Sequence, residues 1–210
     1  METQTERKLA ERPAPADYPV HELIRSRWSP RAFSEKPIAP EVLCSLFEAA
    51  RWAPSSNNEQ PWAYMVSTRD DQENFEKCLQ ALVEFNANWA RGAYVLGFAV
   101  SELAFAKNKA PNRNAFYDTG AATALLTVEA TARGLFVHQM AGFDPETVRE
   151  NFEVPSGWDP IAAFAIGYPG DPNTLPEPYR SRENAPRTRK GIREFVMTGS
   201  WGHTAPFIGK

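Results

Sequence analysis

The stretch Ala53-Pro54-Ser55-Ser56-Asn57-Asn58-Glu59-Gln60-Pro61-Trp62 carries more information than any other in this sequence. Between its two prolines stand only polar side chains, and three of these are amides. An amide side chain offers both a donor and an acceptor, which suits the edge of a planar heterocycle on which N–H and C=O groups alternate. The stretch therefore predicts a loop that binds a heterocyclic ligand. A polar turn held by its own Asx-type hydrogen bonds is the alternative interpretation.

A second polar motif lies upstream, at Arg27-Trp28-Ser29-Pro30-Arg31-Ala32-Phe33. Two guanidinium groups and one hydroxyl fall within five residues, and guanidinium forks match the geometry of phosphate oxygens. Solvated surface arginines are the simpler reading of the same residues. A phosphate-binding motif followed by a heterocycle-binding loop is typical of a mononucleotide site, and FMN is the obvious ligand.

Composition narrows the class of protein. The 210 residues are 42% hydrophobic and carry a net charge of −3, as expected for a globular enzyme with one sizeable core. Without a long basic run, nucleic acid and anionic membranes are poor partners. Two cysteines and three scattered histidines predict neither a disulfide framework nor a metal site. The mixed-charge N-terminus resembles no secretory signal, so we expect a cytoplasmic protein.

Hydrophobic periodicity predicts an alternation of helices and strands. We expect a flexible lead-in over 1–16 and a single domain over 17–210. Within it, the pattern predicts strands over 62–67, 94–100, 135–140 and 161–167, and helices over 17–24, 40–53, 70–91, 118–133 and 145–152. The helix 118–133 is almost uncharged, so it is expected in the core or at a subunit interface. The tail from about 170 is too long for an ordinary loop, so it packs on its own core or reaches another subunit.

These motifs, in this order, resemble the FMN-dependent nitroreductase family. The resemblance covers roughly residues 20–198. It rests on Arg27 to Phe33, Ala53 to Trp62, the start of the helix at Asp118-Thr119-Gly120, the run from Gly134 to Phe143, and the basic element Arg187-Thr188-Arg189-Lys190. The resemblance implies an α+β fold with a mostly antiparallel central sheet flanked by helices. It also implies a homodimer in which the C-terminal arm wraps the partner and two FMN sites are shared between the chains.

The resemblance also assigns site residues. It implies that the FMN phosphate and ribityl hydroxyls contact Arg27, Ser29, Arg31, Arg187 and Arg189, with Trp28 where the family often has a second basic residue. From the partner subunit, the loop would contribute Pro54, Ser55, Ser56 and Asn58. One flavin face would be lined by Gln139, Met140, Ala141 and Gly142, with a backbone N–H near Ala141 directed at flavin N5.

No side chain is predicted to be a dedicated catalytic acid or nucleophile, because a flavin carries the redox chemistry itself. His138 is expected to be a core histidine. The resemblance implies hydride transfer from NAD(P)H, followed by ping-pong reduction of a small acceptor such as a nitroaromatic or a quinone. No GxGxxG motif follows a strand, so NAD(P)H is expected to bind transiently. Two alternatives stay open: another reaction on the same scaffold (enal reduction, dehalogenation or flavin breakdown), and a flavin-binding module without turnover.

Overall fold

A four-stranded sheet forms the centre of the molecule. The computed structural model describes residues 12–209. The strands are β1 (Trp62–Thr68), β2 (Val95–Glu102), β3 (Phe136–Met140) and β4 (Trp158–Gly167). They lie in the order β1-β2-β4-β3, and every neighbouring pair is antiparallel. The predicted α+β class with an antiparallel sheet is therefore confirmed.

Helices cover both faces of this sheet. They are α1 (Glu22–Ser26), α2 (Pro40–Arg51), α3 (Gln72–Ala81), α4 (Glu84–Ala90), α5 (Ala115–Ala132), α6 (Pro145–Phe152) and α7 (Tyr179–Asn184). Short 3-10 turns lie at Ser56–Asn58, Pro172–Thr174 and Ile192–Glu194. Local sequence explains several starts: Pro40 begins α2, and the Asp144 side chain accepts hydrogen bonds from the first turn of α6.

The central strands are buried because each face packs on a different group of helices. On β2, Leu96 and Phe98 belong to the cluster that includes α3, α4 and α6, whereas Val95 belongs to the cluster formed with α2 and α5. A strand covered on both sides needs apolar residues at consecutive positions, and β2 has them. At Gly97 the fit is so close that a Cβ atom would lie 2.4 Å from the Met65 carbonyl oxygen.

Two helix predictions were wrong in their boundaries. The first helix starts at Glu22, after Pro19, and is capped by the His21 side chain, which accepts from Leu23 N–H at 3.2 Å. The predicted helix over 70–91 is two helices, α3 and α4. They are separated where extended Leu82 pairs with Phe143 in an antiparallel bridge and is buried in the core. Burial of Leu82 and this long-range pairing outweigh the local helical preference.

One face of α5 is buried in the core, and several apolar side chains elsewhere on this helix are exposed. The buried face packs against α2 and the sheet. Four threonines recur on it at every fourth position: Thr119, Thr123, Thr127 and Thr131. Three apolar side chains of α5 are exposed at other positions: Phe116 and Tyr117 in the first turn and Leu125 further along the helix, of which Tyr117 is 80% exposed.

The tail first packs on its own domain and then turns outward. Leu175 and Tyr179 are buried in the core cluster that contains α3 and α4. Beyond Lys190, the chain folds into a small unit around buried Ala205 and Ile208. Its larger aromatic side chains are exposed: Phe195, Trp201 and Phe207. The wrapping of a partner by this arm stays a prediction.

The N-terminal lead-in lies partly outside the described residues, since these begin at residue 12. Within the described part, Ala14 N–H donates to the Arg25 carbonyl at 2.7 Å, so this segment runs alongside α1. The boundary between lead-in and domain stays a prediction. None of the helices within residues 12–209 has the length and apolar character that crossing a membrane requires.

Candidate functional site

Three arginines from the two ends of the chain converge beside α1. Arg27 directly follows α1, and its guanidinium donates to Ser29 Oγ at 3.3 Å. The half-buried Arg187 comes from the tail and donates to the Arg27 carbonyl at 2.7 Å and to the Arg12 carbonyl at 2.6 Å. Arg189 lies close to both. The tail therefore adds two positive charges to the predicted phosphate motif.

The electrostatics of this cluster favour an anionic ligand. Burial and then the charges of Arg187 and Arg189 lower the pKa of Arg27. Burial and then Arg189 and Arg12 lower the pKa of Arg187. Within residues 12–209, neither Arg27, Arg187 nor Arg189 forms a salt bridge with a carboxylate. Like charges held together without a counter-ion are stabilised when an anion binds between them.

A large cavity opens next to the arginines, with a volume of about 1160 Å³. Its cationic end includes Arg27, Ser29, Arg187 and Arg189, and its walls come from α1, α5, β3 and the lead-in. Most of the wall is apolar, with Ile24, Val128 and Phe195 among the lining residues. A cationic end joined to an apolar wall suits a ligand that carries a phosphate on one side and a flat apolar ring on the other.

The four residues predicted to line one flavin face lie at the end of β3 and just beyond it. Gln139 lines the cavity, and its amide donates to Thr127 Oγ1 on α5 at 3.4 Å. Met140 is buried in the core and Ala141 is exposed; neither is among the lining residues. The Gly142 carbonyl accepts from Val83 N–H and the Asn86 side chain, which ties this segment to the start of α4.

The polar loop after α2 lies apart from the cavity. None of Pro54, Ser55, Ser56 and Asn58 is a lining residue. Asp118, buried in the first turn of α5, accepts from Ser56 N–H at 3.0 Å and so fixes the loop to that helix. Asn57, Asn58 and Gln60 have positive φ angles, and asparagine tolerates that conformation better than most residues. The predicted site residues thus fall into two separate groups in one chain.

Two further predicted residues make contacts inside the protein. The Trp28 ring packs edge-on against Phe136, with 6.1 Å between centroids. The Arg31 guanidinium lies 3.7 Å from the buried Glu183 carboxylate and faces Trp89. Neither Trp28 nor Arg31 lines the cavity. Their contacts with FMN stay predictions.

His138 behaves as a core histidine. Its Nδ1 lies 2.8 Å from the Pro30 carbonyl oxygen, and its ring packs on Trp89 with 4.4 Å between centroids. A carbonyl partner assigns the proton to Nδ1. Burial is the main cause that lowers its pKa to about 4, against the weaker opposing effect of the bond to Pro30. The ring is therefore neutral at physiological pH, and it fixes the backbone at Pro30, between Arg27 and Arg31.

The model of the nitroreductase family matches residues 24–168, which is more than two thirds of the chain. The chain belongs to the nitroreductase family. A crystal structure described as that of an oxidoreductase containing FMN has a TM-score of 0.84 at 32% identity and covers 90% of this chain and 96% of its own. A nitroreductase family protein from Clostridium difficile 630 has a TM-score of 0.65 at 23% identity, with coverages of 85% and 96%.

Two curated relatives are similar to this chain in sequence. A 15.4 kDa protein from the ask 5′ region of Mycolicibacterium smegmatis is 45% identical over 91 residues. That match covers 43% of this chain and 61% of the relative, so the chain spans less than two thirds of that relative's length. The 5,6-dimethylbenzimidazole synthase of Rhodospirillum rubrum is 28% identical over 178 residues, which are 74% of this chain and 84% of the synthase.

The motifs identify the arginines but do not indicate the part that two buried carboxylates, Asp118 and Glu183, play in holding the two loops. Asp118 holds the polar loop, and Glu183 holds the backbone at Arg31 and Ala32. Both accept from backbone N–H groups of distant segments, so no pairing of side-chain types along the sequence indicates them. Within residues 12–209, His, Cys, Asp and Glu side chains form no group of three or more that could hold a metal ion.

Proposed function

We propose that this chain is an FMN-dependent oxidoreductase that takes hydride from NAD(P)H and reduces a small acceptor, such as a nitroaromatic or a quinone, by a ping-pong mechanism. One observation carries the proposal: Arg27, Arg187 and Arg189 converge, without carboxylate partners among residues 12–209, at one end of a cavity with apolar walls. Membership of the family and the similarity to an FMN-containing oxidoreductase support it.

The residues present fit FMN. A phosphate monoester needs several charge-assisted donors, and the three arginines together with Ser29 offer them. Ribityl hydroxyls need neutral polar partners, and Gln139 and Thr127 on the wall can serve as such partners. The isoalloxazine ring needs an apolar surface, which α5 and β3 provide. The cavity, at about 1160 Å³, is larger than most small-molecule sites, which leaves room for a second reactant.

Bound FMN would supply the redox chemistry, so the protein would bind, orient and shield the reactants. Arg27, Arg187 and Arg189 would neutralise the phosphate. The backbone N–H of Ala141, in the exposed segment directly after β3, is the proposed donor to the flavin edge. Apolar side chains of the cavity would exclude water from the site of hydride transfer.

The active unit in this proposal is a homodimer with two shared sites. Ser55, Ser56 and Asn58 lie away from the arginine cavity of their own chain, and the exposed Phe116 and Tyr117 at the start of α5 would be covered by a partner surface. The polar loop of one chain would therefore complete the site of the other, and the unit beyond Lys190 would wrap the partner. The exposed Trp201 and Phe207 support this arrangement. We keep the prediction of a cytoplasmic location.

An anaerobic titration tests the proposal. The purified full chain is expected to carry FMN, and its flavin absorbance should bleach on addition of NADH or NADPH. Addition of a quinone or a nitroaromatic should then restore the absorbance. A protein that takes up no FMN contradicts the proposal outright. A flavin that binds but never bleaches with either dinucleotide indicates a flavin-binding module without turnover.

The relative from Rhodospirillum rubrum favours a second candidate function. Its name is that of an enzyme that makes 5,6-dimethylbenzimidazole. The benzene ring of FMN carries two adjacent methyl groups, as that product does, so FMN itself would be the substrate of such a reaction. Chromatography after incubation of the protein with FMN, NADPH and air separates the two candidates. Recovery of intact FMN supports the oxidoreductase, whereas loss of FMN with formation of a dimethylated benzimidazole supports the second function.

A further inference from the structure

We propose that Glu183 is a positioning residue for the phosphate of the bound cofactor. Its carboxylate, contributed by the C-terminal extension, holds the backbone of the arginine loop, defined as residues 27–32, in the shape that recognises phosphate. The inference rests on the proposed function, because it assumes that FMN binds at the arginine cluster.

The contacts of Glu183 are backbone contacts to one short segment. The residue is 1% exposed. The Arg31 N–H lies 2.9 Å from both carboxylate oxygens, and the Ala32 N–H lies 3.2 Å from one of them. The Arg31 guanidinium completes the set at 3.7 Å. A buried carboxylate is tolerated only where charge and hydrogen bonds compensate its lost hydration, and here every partner belongs to the arginine loop.

Two other side chains hold the same loop from different directions. His138 on β3 binds the Pro30 carbonyl at 2.8 Å, and Arg187 binds the Arg27 carbonyl at 2.7 Å. The backbone is thus fixed at both ends and near the middle by three side chains from two distant segments, the tail and β3. Arg27 and Ser29, whose side chains reach the cavity, lie between these anchors. A loop fixed before binding saves the ordering cost that a mobile loop would impose on affinity.

This arrangement gives Glu183 a role that ordinary core residues lack. Loss of its carboxylate leaves the N–H groups of Arg31 and Ala32 without acceptors and the Arg31 guanidinium without its partner. The loop then relaxes to form new hydrogen bonds. As a result, the side chains of Arg27 and Ser29 lose the relative orientation that they have in the intact loop. The defect falls on recognition of the phosphate, whereas contacts with the flavin ring, made by α5 and β3, are kept.

The test compares FMN with riboflavin, which has the same ring and ribityl chain but no phosphate. Dissociation constants for both flavins are measured on the full chain at a temperature well below unfolding. For wild type we expect a clear preference for FMN. In Glu183→Ala, about tenfold of that preference should be lost, with riboflavin affinity nearly unchanged. Glu183→Gln keeps an oxygen for the backbone N–H groups and should restore most of the preference.

Two control variants separate positioning from general stability and general charge. Val148→Ala truncates a fully buried side chain on the core-facing side of α6 and lowers stability without touching the loop. Glu73→Gln removes an exposed carboxylate that is paired with Lys77 on α3, away from the arginine loop. Neither should change the preference for FMN over riboflavin. If Glu183→Ala does not fold, Glu183→Asp, whose shorter side chain withdraws the oxygens from the backbone, carries the same expectation.

The outcomes are distinguishable. If wild type binds neither flavin, the proposed function has failed. If wild type prefers FMN and Glu183→Ala keeps that preference within about twofold, the inference about Glu183 is wrong and the proposed function stands. If Val148→Ala loses as much of the preference for FMN as Glu183→Ala does, Glu183 acts only through the stability of the fold. If Glu183→Gln loses as much of the preference for FMN as Glu183→Ala does, the contacts with the backbone N–H groups are not the cause of the loss.

Discussion

Arg27→Ala should weaken FMN binding without weakening the flavin-free protein. In the absence of a ligand, burial and then repulsion by the nearby Arg187 and Arg189 lower the pKa of Arg27. Removal of one positive charge therefore relieves repulsion in the flavin-free state. In the complex the same substitution removes a charge-assisted hydrogen bond, worth about 1.5–3 kcal/mol. We expect the Kd for FMN to rise about 10- to 100-fold.

Two measurements check this expectation. Quenching of flavin fluorescence gives the Kd. Thermal unfolding with and without FMN should show that the substitution narrows the gap between the two melting temperatures, because a weaker ligand stabilises less. Arg51→Ala is the matched control: it removes an exposed arginine at the end of α2 that is paired with Glu48. An unchanged Kd in Arg27→Ala, or an equal loss in Arg51→Ala, would refute the reasoning.

Three further predictions concern the dimer, the loop anchor and pH. Mixed dimers of Arg27→Ala and Asn58→Ala chains should recover about half of wild-type NAD(P)H oxidation if each site uses both chains, since one site then carries both defects and the other neither; sites confined to one chain would give no recovery. Asp118→Ala should free Ser56 N–H and accelerate FMN release from the holoprotein, with partial rescue in Asp118→Asn; unchanged release rates contradict this. The pKa of His138 is lowered to about 4, so the unfolded chain binds a proton that the folded chain does not as pH falls from about 6.5 towards 4. The stability that neutral His138 contributes is therefore complete above about pH 6.5 and is lost as the pH falls towards 4. Urea unfolding at several pH values should show that the free energy of unfolding depends less steeply on pH in His138→Asn. An unaltered dependence would mean that another group causes the effect.

Hydrophobic pattern predicted the sheet well because its signal is local to each strand. The apolar run over 94–100 became β2, at Val95–Glu102, since helices on both faces demand apolar residues at consecutive positions. The same reasoning failed for residues 70–91. There the break at Leu82 depends on a bridge to Phe143, and the residues on either side of Leu82 give no indication of such a distant partner.

The candidate site was predictable to the extent that its chemistry resides in side chains with a recognisable spacing. Arg27, Ser29, Gln139, Arg187 and Arg189 were all inferred from motifs, and all line one cavity. The part that the carboxylate of Glu183 plays in holding the arginine loop was not inferred, and Asp118 was inferred only as the start of a helix, not as the anchor of the polar loop. A carboxylate that accepts from distant backbone N–H groups needs no particular residue type at the other end, so it leaves no pattern in the sequence.

The contact between the tail and the arginine loop has a consequence for biosynthesis. Glu183 meets Arg31 across 152 positions of sequence, and Arg187 meets the Arg27 carbonyl across 160. Chains fold from the N-terminus as they are made, and the last strand of the sheet, β4, ends at Gly167, so the sheet can begin to assemble before Glu183 and Arg187 leave the ribosome. The arginine cluster is therefore among the last parts of the molecule to form. Nascent or C-terminally clipped chains would fold a core that holds no flavin, and flavin colour would mark only chains that were finished and intact.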